Sequence, residues 1–281
     1  MTERTALIVG GTGIIGRALT EHFLCLDGWN VRVAARNPAD LPAGVVPVAV
    51  DLLDPGSVAA AAPGLAGVTH VFYTALQARP TLAEEVEPNL SMLRNLVHAV
   101  EDSAPDLETI SIMQGGKAYG AFLSPYRTPA KESDPRHMPP NFYFNQEDFL
   151  RDRQRGKDWG WVAMRPGIVG GLSIGNPMNL TAVIAVYAAI SKELGLPLRF
   201  PGTPAGYSAL HQATDAQLLA QATAWTATNP ACRNEIFNVT NGDYFRWENL
   251  WPQFADYFEM PVAPPQTIRL TEFMSDKAPL W

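Results

Sequence analysis

Three glycines spaced three residues apart, directly after a short apolar run, constrain the fold of this chain more than any other feature. The run Thr5–Val9 is followed at once by Gly10, Gly13 and Gly16, and then by a helical pattern. In such a strand–turn–helix the first glycine permits the tight turn, the second lets backbone approach a pyrophosphate, and the third lets helix and strand pack closely. Free N–H groups at the helix N-terminus then face the phosphates. The pattern therefore predicts dinucleotide binding.

Strand-like and helical segments alternate through the first part of the chain. The strand-like runs are Ala6–Val9, Val31–Ala35, Val45–Val50, His70–Ala75, Thr109–Met113 and Trp161–Met164. Strands that alternate with helices predict βαβ units on a parallel sheet, and nearly continuous apolar strands indicate a sheet covered on both faces. We predict an α/β fold with a Rossmann-type, doubly wound parallel sheet.

The alternation breaks down after residue 169, where a Gly/Pro/Asn-rich stretch precedes a helical pattern near Asn179–Leu194. Glu235–Val239 has the composition of one more strand, which can return to the sheet. The later region is therefore interleaved with the cofactor domain. The predicted bounds are 1–169 for the cofactor domain, with the returning strand near 235–240, and 170–234 and 241–281 for a smaller substrate-binding region.

Composition limits the partners of the chain. Its 281 residues carry a formal net charge of −7 without a basic run, which argues against non-specific nucleic-acid binding. The longest apolar run, near residues 181–190, is too short to span a bilayer, so no membrane partner is expected. Cys25 and Cys232 lack metal-ligand spacing, and we interpret them as buried free thiols in a reducing cytoplasm, with no metal site.

Residues at the carboxyl ends of the predicted strands indicate which dinucleotide binds. Arg36 follows the second strand, where a carboxylate would select a ribose 2′-hydroxyl. An arginine there suits a 2′-phosphate, so NADPH is favoured over NADH. Asp51 and Leu52 end the third strand and could bracket adenine, or Asp51 could simply cap the next turn. Ala75 ends the fourth strand and leaves room for the cofactor at the sheet edge.

The tyrosine–lysine pair that usually accompanies such a glycine turn is missing in its usual form. No tyrosine is followed by a lysine four residues later. Instead, Lys117 lies in a glycine-rich loop after the fifth strand, and Tyr143 lies 26 residues further on, where a helix begins. Taken alone, Lys117 could be solvated, and Tyr143 could pack between Phe142 and Phe144.

Two segments around this pair, together with the glycine turn, resemble the progesterone 5β-reductase/iridoid synthase-like branch of the short-chain dehydrogenases. The family signature Asn-Phe-Tyr-Tyr-x-x-Glu-Asp corresponds to residues 141–148, Asn-Phe-Tyr-Phe-Asn-Gln-Glu-Asp, and its Lys-x-Tyr segment corresponds to residues 117–119. Phe144 replaces the second tyrosine, and Asn37 stands where a second arginine often follows the first. The resemblance covers essentially the whole chain.

The resemblance implies an extended short-chain dehydrogenase fold, NADPH as cofactor, and Tyr143 and Lys117 as the catalytic pair. It also implies a small-molecule enone or carbonyl substrate. Family members with a longer C-terminal part form dimers, so a homodimer is one possible state that the resemblance implies. The glycine turn and the resemblance together imply cofactor contacts from Gly10, Thr12, Gly13, Ile14, Ile15, Gly16, Arg36, Asp51, Leu52, Ala75, Met113, Tyr143, Val169 and Met178.

The chemistry of enone reduction gives these residues roles. Hydride arriving at the β-carbon leaves negative charge on the carbonyl oxygen, and one donor aimed there contributes about 3–4 kcal/mol. Tyr143 could be that donor. A nearby ammonium lowers the pKa of a tyrosine hydroxyl, so Lys117 would ease proton delivery while also holding the nicotinamide ribose. Glu147 and Asp148 are expected to serve the helix N-terminus electrostatically.

The predicted function is therefore the NADPH-dependent reduction of the C=C bond of an α,β-unsaturated carbonyl compound. Direct carbonyl reduction is one alternative, because the donor faces the same oxygen in both reactions. A non-catalytic, NADP-sensing protein is the other alternative. The presence of both Tyr143 and Lys117 favours an enzyme.

Overall fold

The computed structural model describes residues 3–38, 41–173 and 179–280. The strands are β1 (Arg4–Val9), β2 (Trp29–Ala35), β3 (Val45–Ala49), β4 (His70–Tyr73), β5 (Thr109–Met113), β6 (Gly160–Pro166), β7 (Ile168–Gly170), β8 (Leu198–Arg199), β9 (Leu210–His211), β10 (Ala213–Asp215), β11 (Glu235–Val239), β12 (Phe245–Arg246) and β13 (Val262–Ala263). The helices are α1 (Ile14–Leu24), α2 (Pro55–Leu65), α3 (Leu82–Ser103), α4 (Phe142–Gln154), α5 (Leu180–Glu193), α6 (Pro204–Ser208), α7 (Ala216–Thr228), α8 (Trp247–Tyr257) and α9 (Leu270–Phe273).

Seven of the described strands form one parallel sheet in the order β11-β6-β5-β4-β1-β2-β3. From β1 the chain first builds outward through β2 and β3, and then crosses to the other side of β1 to add β4. The strand order therefore reverses between β1 and β4. In open α/β sheets, ligands bind at such a reversal, outside the carboxyl ends of the strands.

Helices cover both faces of this sheet. On one face, residues of α2, α3 and α4 such as Leu65, Leu96 and Leu150 are buried in one core with the strands. On the other face, α1 and α7 contribute residues such as Phe23 and Ala220 to a second core. Burial from both sides explains the apolar strands, and it confirms the predicted doubly wound sheet.

Helix α3 combines a well-defined start with one buried stripe. A capping box closes its N-terminus, because the Thr81 side chain accepts from Glu84 N while the Glu84 carboxylate accepts from Thr81 N. The buried apolar residues include Leu93, Leu96, Val97 and Val100, as their helical spacing predicts. Glu85 and Asn89 lie on the same stripe and are also buried.

The chain divides into two compact units, Met1–Asn176 with Thr214–Thr240, and Pro177–Ala213 with Asn241–Trp281. The first unit holds the sheet, and β11 returns to pair with β6 as predicted. Helix α7, which the predicted bounds assigned to the smaller region, belongs to this unit because it packs on α1.

The second unit has a core of its own. Trp247 and Trp251 of α8 pack there with Tyr187 of α5 and Leu198 of β8. That this unit binds substrate remains a prediction.

Candidate active site

The glycine turn has the form that a dinucleotide requires. Gly10 adopts a φ of +82°, and a Cβ there would lie 2.9 Å from Thr74 Oγ1. A Cβ on Gly16 would lie 2.3 Å from the Gly10 carbonyl oxygen, so only glycine lets α1 begin this close to β1. Gly13 is the N-cap of α1 and supplies no side chain to cap its N–H groups. Those groups therefore suit a phosphate.

Several predicted cofactor contacts lie at the open carboxyl edge of the sheet. Thr12 and Arg36 are exposed, and Ala75 is half-buried beside Gly10. Within the part of the chain that the structure describes, Arg36 forms no hydrogen bond or ion pair, so its guanidinium is open to an anion. Met178 lies outside the described residues.

Other predicted contacts are packed into the cores. Ile15, Met113 and Val169 are half-buried and pack in one cluster, and Ile14 is buried. Leu52 is buried between the sheet and its covering helices, and a contact between Leu52 and adenine stays a prediction.

Asp51 caps the turn after β3. Its Oδ1 accepts a hydrogen bond from Leu53 N at 2.9 Å, and its own N–H donates to Ser57 Oγ at 2.9 Å. Of the two predicted roles of Asp51, the structure shows the turn cap. A contact between Asp51 and adenine stays a prediction.

Tyr143 and Lys117 are held at one corner of the first unit by a shared neighbour. Lys117 lies in a 3₁₀ turn, Gly116–Tyr119, that follows β5, and Tyr143 lies in the first turn of α4. Asn141, the N-cap of α4, accepts from Tyr143 N at 3.1 Å and donates through Nδ2 to the Lys117 carbonyl oxygen at 2.9 Å. The Tyr143 hydroxyl is 3.8 Å from where a Cβ on Gly115 would lie.

The charges at this corner differ from the expected arrangement. Lys117 Nζ lies 3.0 Å from Oε2 of the buried Glu85. Burial, and then the negative charge of Glu85, raises the pKa of the Tyr143 hydroxyl above its usual value. The expected lowering of this pKa by the Lys117 ammonium is not seen in this arrangement. A tyrosine whose pKa is raised in this way keeps its proton at neutral pH.

The acidic residues of the signature belong to an ion network. Glu147 is 3% exposed, and its carboxylate accepts from Arg151 at 2.9 Å, Arg136 at 3.1 Å and Arg165 at 3.3 Å. Burial alone would raise the pKa of Glu147, but its hydrogen bonds and the charges of Arg151 and Arg136 hold that pKa below its usual value. Asp148 pairs with Arg136 at 2.8 Å. The expected role at the helix N-terminus is wrong, since no acidic residue lies in the first turn of α4.

Arg165 links this network to the tyrosine. Its Nε donates to Gln114 Oε1 at 2.8 Å, and Gln114 Nε2 donates to the Tyr143 carbonyl oxygen at 3.3 Å. Neither Arg165 nor Gln114 was predicted to belong to the site. The available signal was a charged residue within the otherwise apolar β6, all of which is buried.

Three further expectations concern metals, membranes and thiols. Among the described residues, no group of three or more His, Cys, Asp or Glu side chains could hold a metal ion. No helix in the described ranges has the length and apolar composition to cross a membrane. Cys232 is buried as expected, whereas Cys25, at the end of α1, is exposed.

A family comparison decides where the chain belongs. The model of the PRISE-like Rossmann-fold domain matches residues 34–280. The chain belongs to this family. The resemblance carried by residues 141–148 is thereby confirmed, and this PRISE-like chain is an oxidoreductase.

Named relatives match the PRISE-like chain almost end to end. It is 36% identical over 297 residues to an (S)-8-oxocitronellyl enol synthase of Nepeta racemosa. It is 34% identical over 303 residues to a 3-oxo-Delta(4,5)-steroid 5-beta-reductase of Arabidopsis thaliana. Each alignment covers 99% of this chain and 76% of the relative.

A solved structure shares the fold. The UDP-glucose 4-epimerase of Thermus thermophilus, in complex with NAD, matches with a TM-score of 0.72 and 24% identity, covering 96% of this chain and 92% of that one. At this identity the likeness concerns the fold alone.

Proposed function

We propose that this protein reduces the C=C bond of α,β-unsaturated carbonyl compounds with NADPH. The observation that carries the proposal is the near full-length similarity to an enol synthase and a steroid 5-beta-reductase. A 3-oxo-Delta(4,5) steroid has a double bond conjugated to a carbonyl. An enol forms when hydride reaches the β-carbon and a proton reaches the oxygen. Both names therefore fit one reaction at a conjugated carbonyl.

The glycine turn supports a nicotinamide dinucleotide as the cofactor, since Gly10 and Gly16 let β1 turn tightly into α1, whose N-terminal N–H groups have no side-chain cap. The exposed Arg36 supports NADPH, because its guanidinium can pair with a 2′-phosphate. When bound, the cofactor supplies the hydride. Lys117 would hold the nicotinamide ribose.

Tyr143 would stabilise the negative charge that develops on the substrate oxygen. Its raised pKa keeps the hydroxyl protonated at neutral pH, so it donates a hydrogen bond throughout the reaction. The same shift makes complete proton transfer less favourable. Tyr143 therefore acts mainly as an electrostatic donor to the enolate oxygen, and the proton that completes the reduction would come from solvent.

The test is reduction of 2-cyclohexen-1-one with NADPH, followed by product analysis. Cyclohexanone is expected, with faster turnover for NADPH than for NADH. The Tyr143→Phe variant should lose about 10²–10³-fold in kcat, as for one lost oxyanion donor. Tyr257→Phe is the matched control, since this tyrosine is 82% exposed and the change should leave kcat unaltered.

Two outcomes would contradict the proposal. An allylic alcohol as the only product would show direct carbonyl reduction. Binding of NADPH without turnover of any enone or carbonyl compound would favour a sensing protein. Full activity of both Tyr143→Phe and Lys117→Ala would refute the site assignment even if cyclohexanone formed.

A further inference from the structure

Glu85 is a buried carboxylate that contacts the lysine of the proposed catalytic pair. Its Oε2 is 3.0 Å from Lys117 Nζ, and the two side chains are 8% and 35% exposed. Burying a carboxylate is costly unless it is paired, so the Lys117 ammonium stabilises Glu85 in its buried position. Its position in the first turn of α3 also favours a negative charge.

The backbone that carries Glu85 is tied to the helix that carries Tyr143. Asn89 Nδ2 donates to the Glu85 carbonyl oxygen at 2.7 Å, one turn back along α3. From α4, Gln146 Nε2 donates to the Asn89 carbonyl oxygen at 2.9 Å. Glu85 is therefore held in a defined place relative to Tyr143.

We propose that Glu85 is a positioning residue of the site, which holds the Lys117 ammonium against α3 and so sets the charge around Tyr143. The Lys117 ammonium would then contact both the Glu85 carboxylate and the nicotinamide ribose that Lys117 is proposed to hold. The part that Glu85 plays in reduction rests on the proposed function. Its effect on Tyr143 does not, because it can be measured without substrate.

The charged and titratable groups near the start of α4 come from several elements. Glu85 lies on α3, and Lys117 lies on the turn after β5. His137 precedes α4, with its Nε2 2.9 Å from the Lys117 carbonyl oxygen. Arg165 of β6 is bound to Glu147 within the ion network. Of these groups, the charge of Glu85 is the one that raises the pKa of Tyr143, in addition to burial.

The experiment is an ultraviolet titration of tyrosinate in the folded protein, without cofactor or substrate. The chain has eight tyrosines, so each titration is paired with one of the same variant carrying Tyr143→Phe, and the difference isolates Tyr143. In Glu85→Gln the acid dissociation constant of Tyr143 should rise by at least about tenfold, because a like charge is removed and Lys117 is released. Glu87→Gln, an exposed change on the same helix, should cause no shift.

An unchanged or lowered acidity of Tyr143 in folded Glu85→Gln would overturn the proposal. If that variant does not fold, Lys117→Met and the double variant Glu85→Gln/Lys117→Met are compared, since removing both partners costs less than leaving one charge buried. Tyr143 should then be more acidic in the double variant. Equal acidity in the two would overturn the proposal.

Turnover separates this inference from the proposed function. In Glu85→Gln, the loss of 2-cyclohexen-1-one reduction at alkaline pH should move to lower pH by the same interval as the Tyr143 titration. A shifted titration with an unshifted rate profile would support the placement of Lys117 by Glu85. That result would refute Tyr143 as the donor in catalysis.

Discussion

Replacing Glu147 with glutamine removes the charge at the centre of the ion network while keeping the shape of the side chain. Arg165, the buried partner of Glu147, is 5% exposed in its side chain and would keep its charge. Arg136 and Arg151 are 37% and 45% exposed and can turn toward solvent. The cost of Glu147→Gln therefore arises mainly from leaving Arg165 buried without its anion.

The expected loss of stability follows from this difference in burial between Arg165 and the other two arginines. Breaking a buried ion pair by removing one partner costs about 3–5 kcal/mol, whereas exposed pairs contribute about 0.2–1 kcal/mol each. Glutamine can still accept a hydrogen bond from Arg165, which places the expected loss near the lower end, at about 3 kcal/mol. Asp148→Asn, in which the lost partner is 57% exposed, should cost less than about 1 kcal/mol.

Urea unfolding of the wild type and the two variants at neutral pH gives these differences directly. The pH dependence adds a second check. The pKa of Glu147 is lower in the folded state than its value of about 4.3 in an unfolded chain, so its contribution is fully present above that pH and lost as the pH falls through the folded pKa. The gap between wild type and Glu147→Gln should therefore narrow below about pH 4. A loss under about 1 kcal/mol, or an equal loss in Asp148→Asn, would refute the reasoning.

Two further changes test other parts of the first unit. Asn141→Ala removes both the cap of α4 and a donor to the Lys117 carbonyl oxygen, so the free energy of unfolding measured in urea should fall by about 1–2 kcal/mol. The exposed Asn145→Ala should cause little loss. Equal losses in the two variants would contradict the bridging role of Asn141. Burial, then the charge of Arg4, lowers the pKa of His70 to about 4, below the unfolded value of about 6.5. The histidine's contribution to the free energy of unfolding is complete above that value and should fall by about 3 kcal/mol as the pH drops to 4, a loss that His70→Phe should lack; the same acid loss in that variant would assign it to other groups.

The sheet was predictable from the sequence because its strands are buried on both faces. β5 and β11 begin and end where their composition predicts, and β11 returns to the sheet by pairing with β6. The two-residue strands β8, β9, β12 and β13 of the second unit were not predicted. A pair of residues has no periodicity to detect, and such strands are defined by their pairing partners.

The residues of the candidate site were predictable only where a residue type is unusual for its position. Tyr143 and Lys117 follow from a recognised signature, but their electrostatic neighbours do not. Glu85 is 32 residues from Lys117 and sits among exposed acids, Glu84 and Glu87, that are typical of a solvated helix face. Its signal was its register, since it lies four residues before the buried Asn89 on the apolar stripe of α3. Burial of a charge depends on partners distant in sequence, which a local pattern does not contain.

The reversed order of lysine and tyrosine has a physical consequence. In a Tyr-x-x-x-Lys helix, the spacing of one turn sets where the lysine lies relative to the tyrosine. Here the two side chains come from separate elements, and their placement depends on Asn141 at the backbone and Glu85 at the ammonium. A change at Asn141 or Glu85 can therefore alter the electrostatic environment of Tyr143 without replacing Tyr143 or Lys117. A chain built in this way can keep its tyrosine protonated, as a reaction that develops charge on a carbonyl oxygen requires.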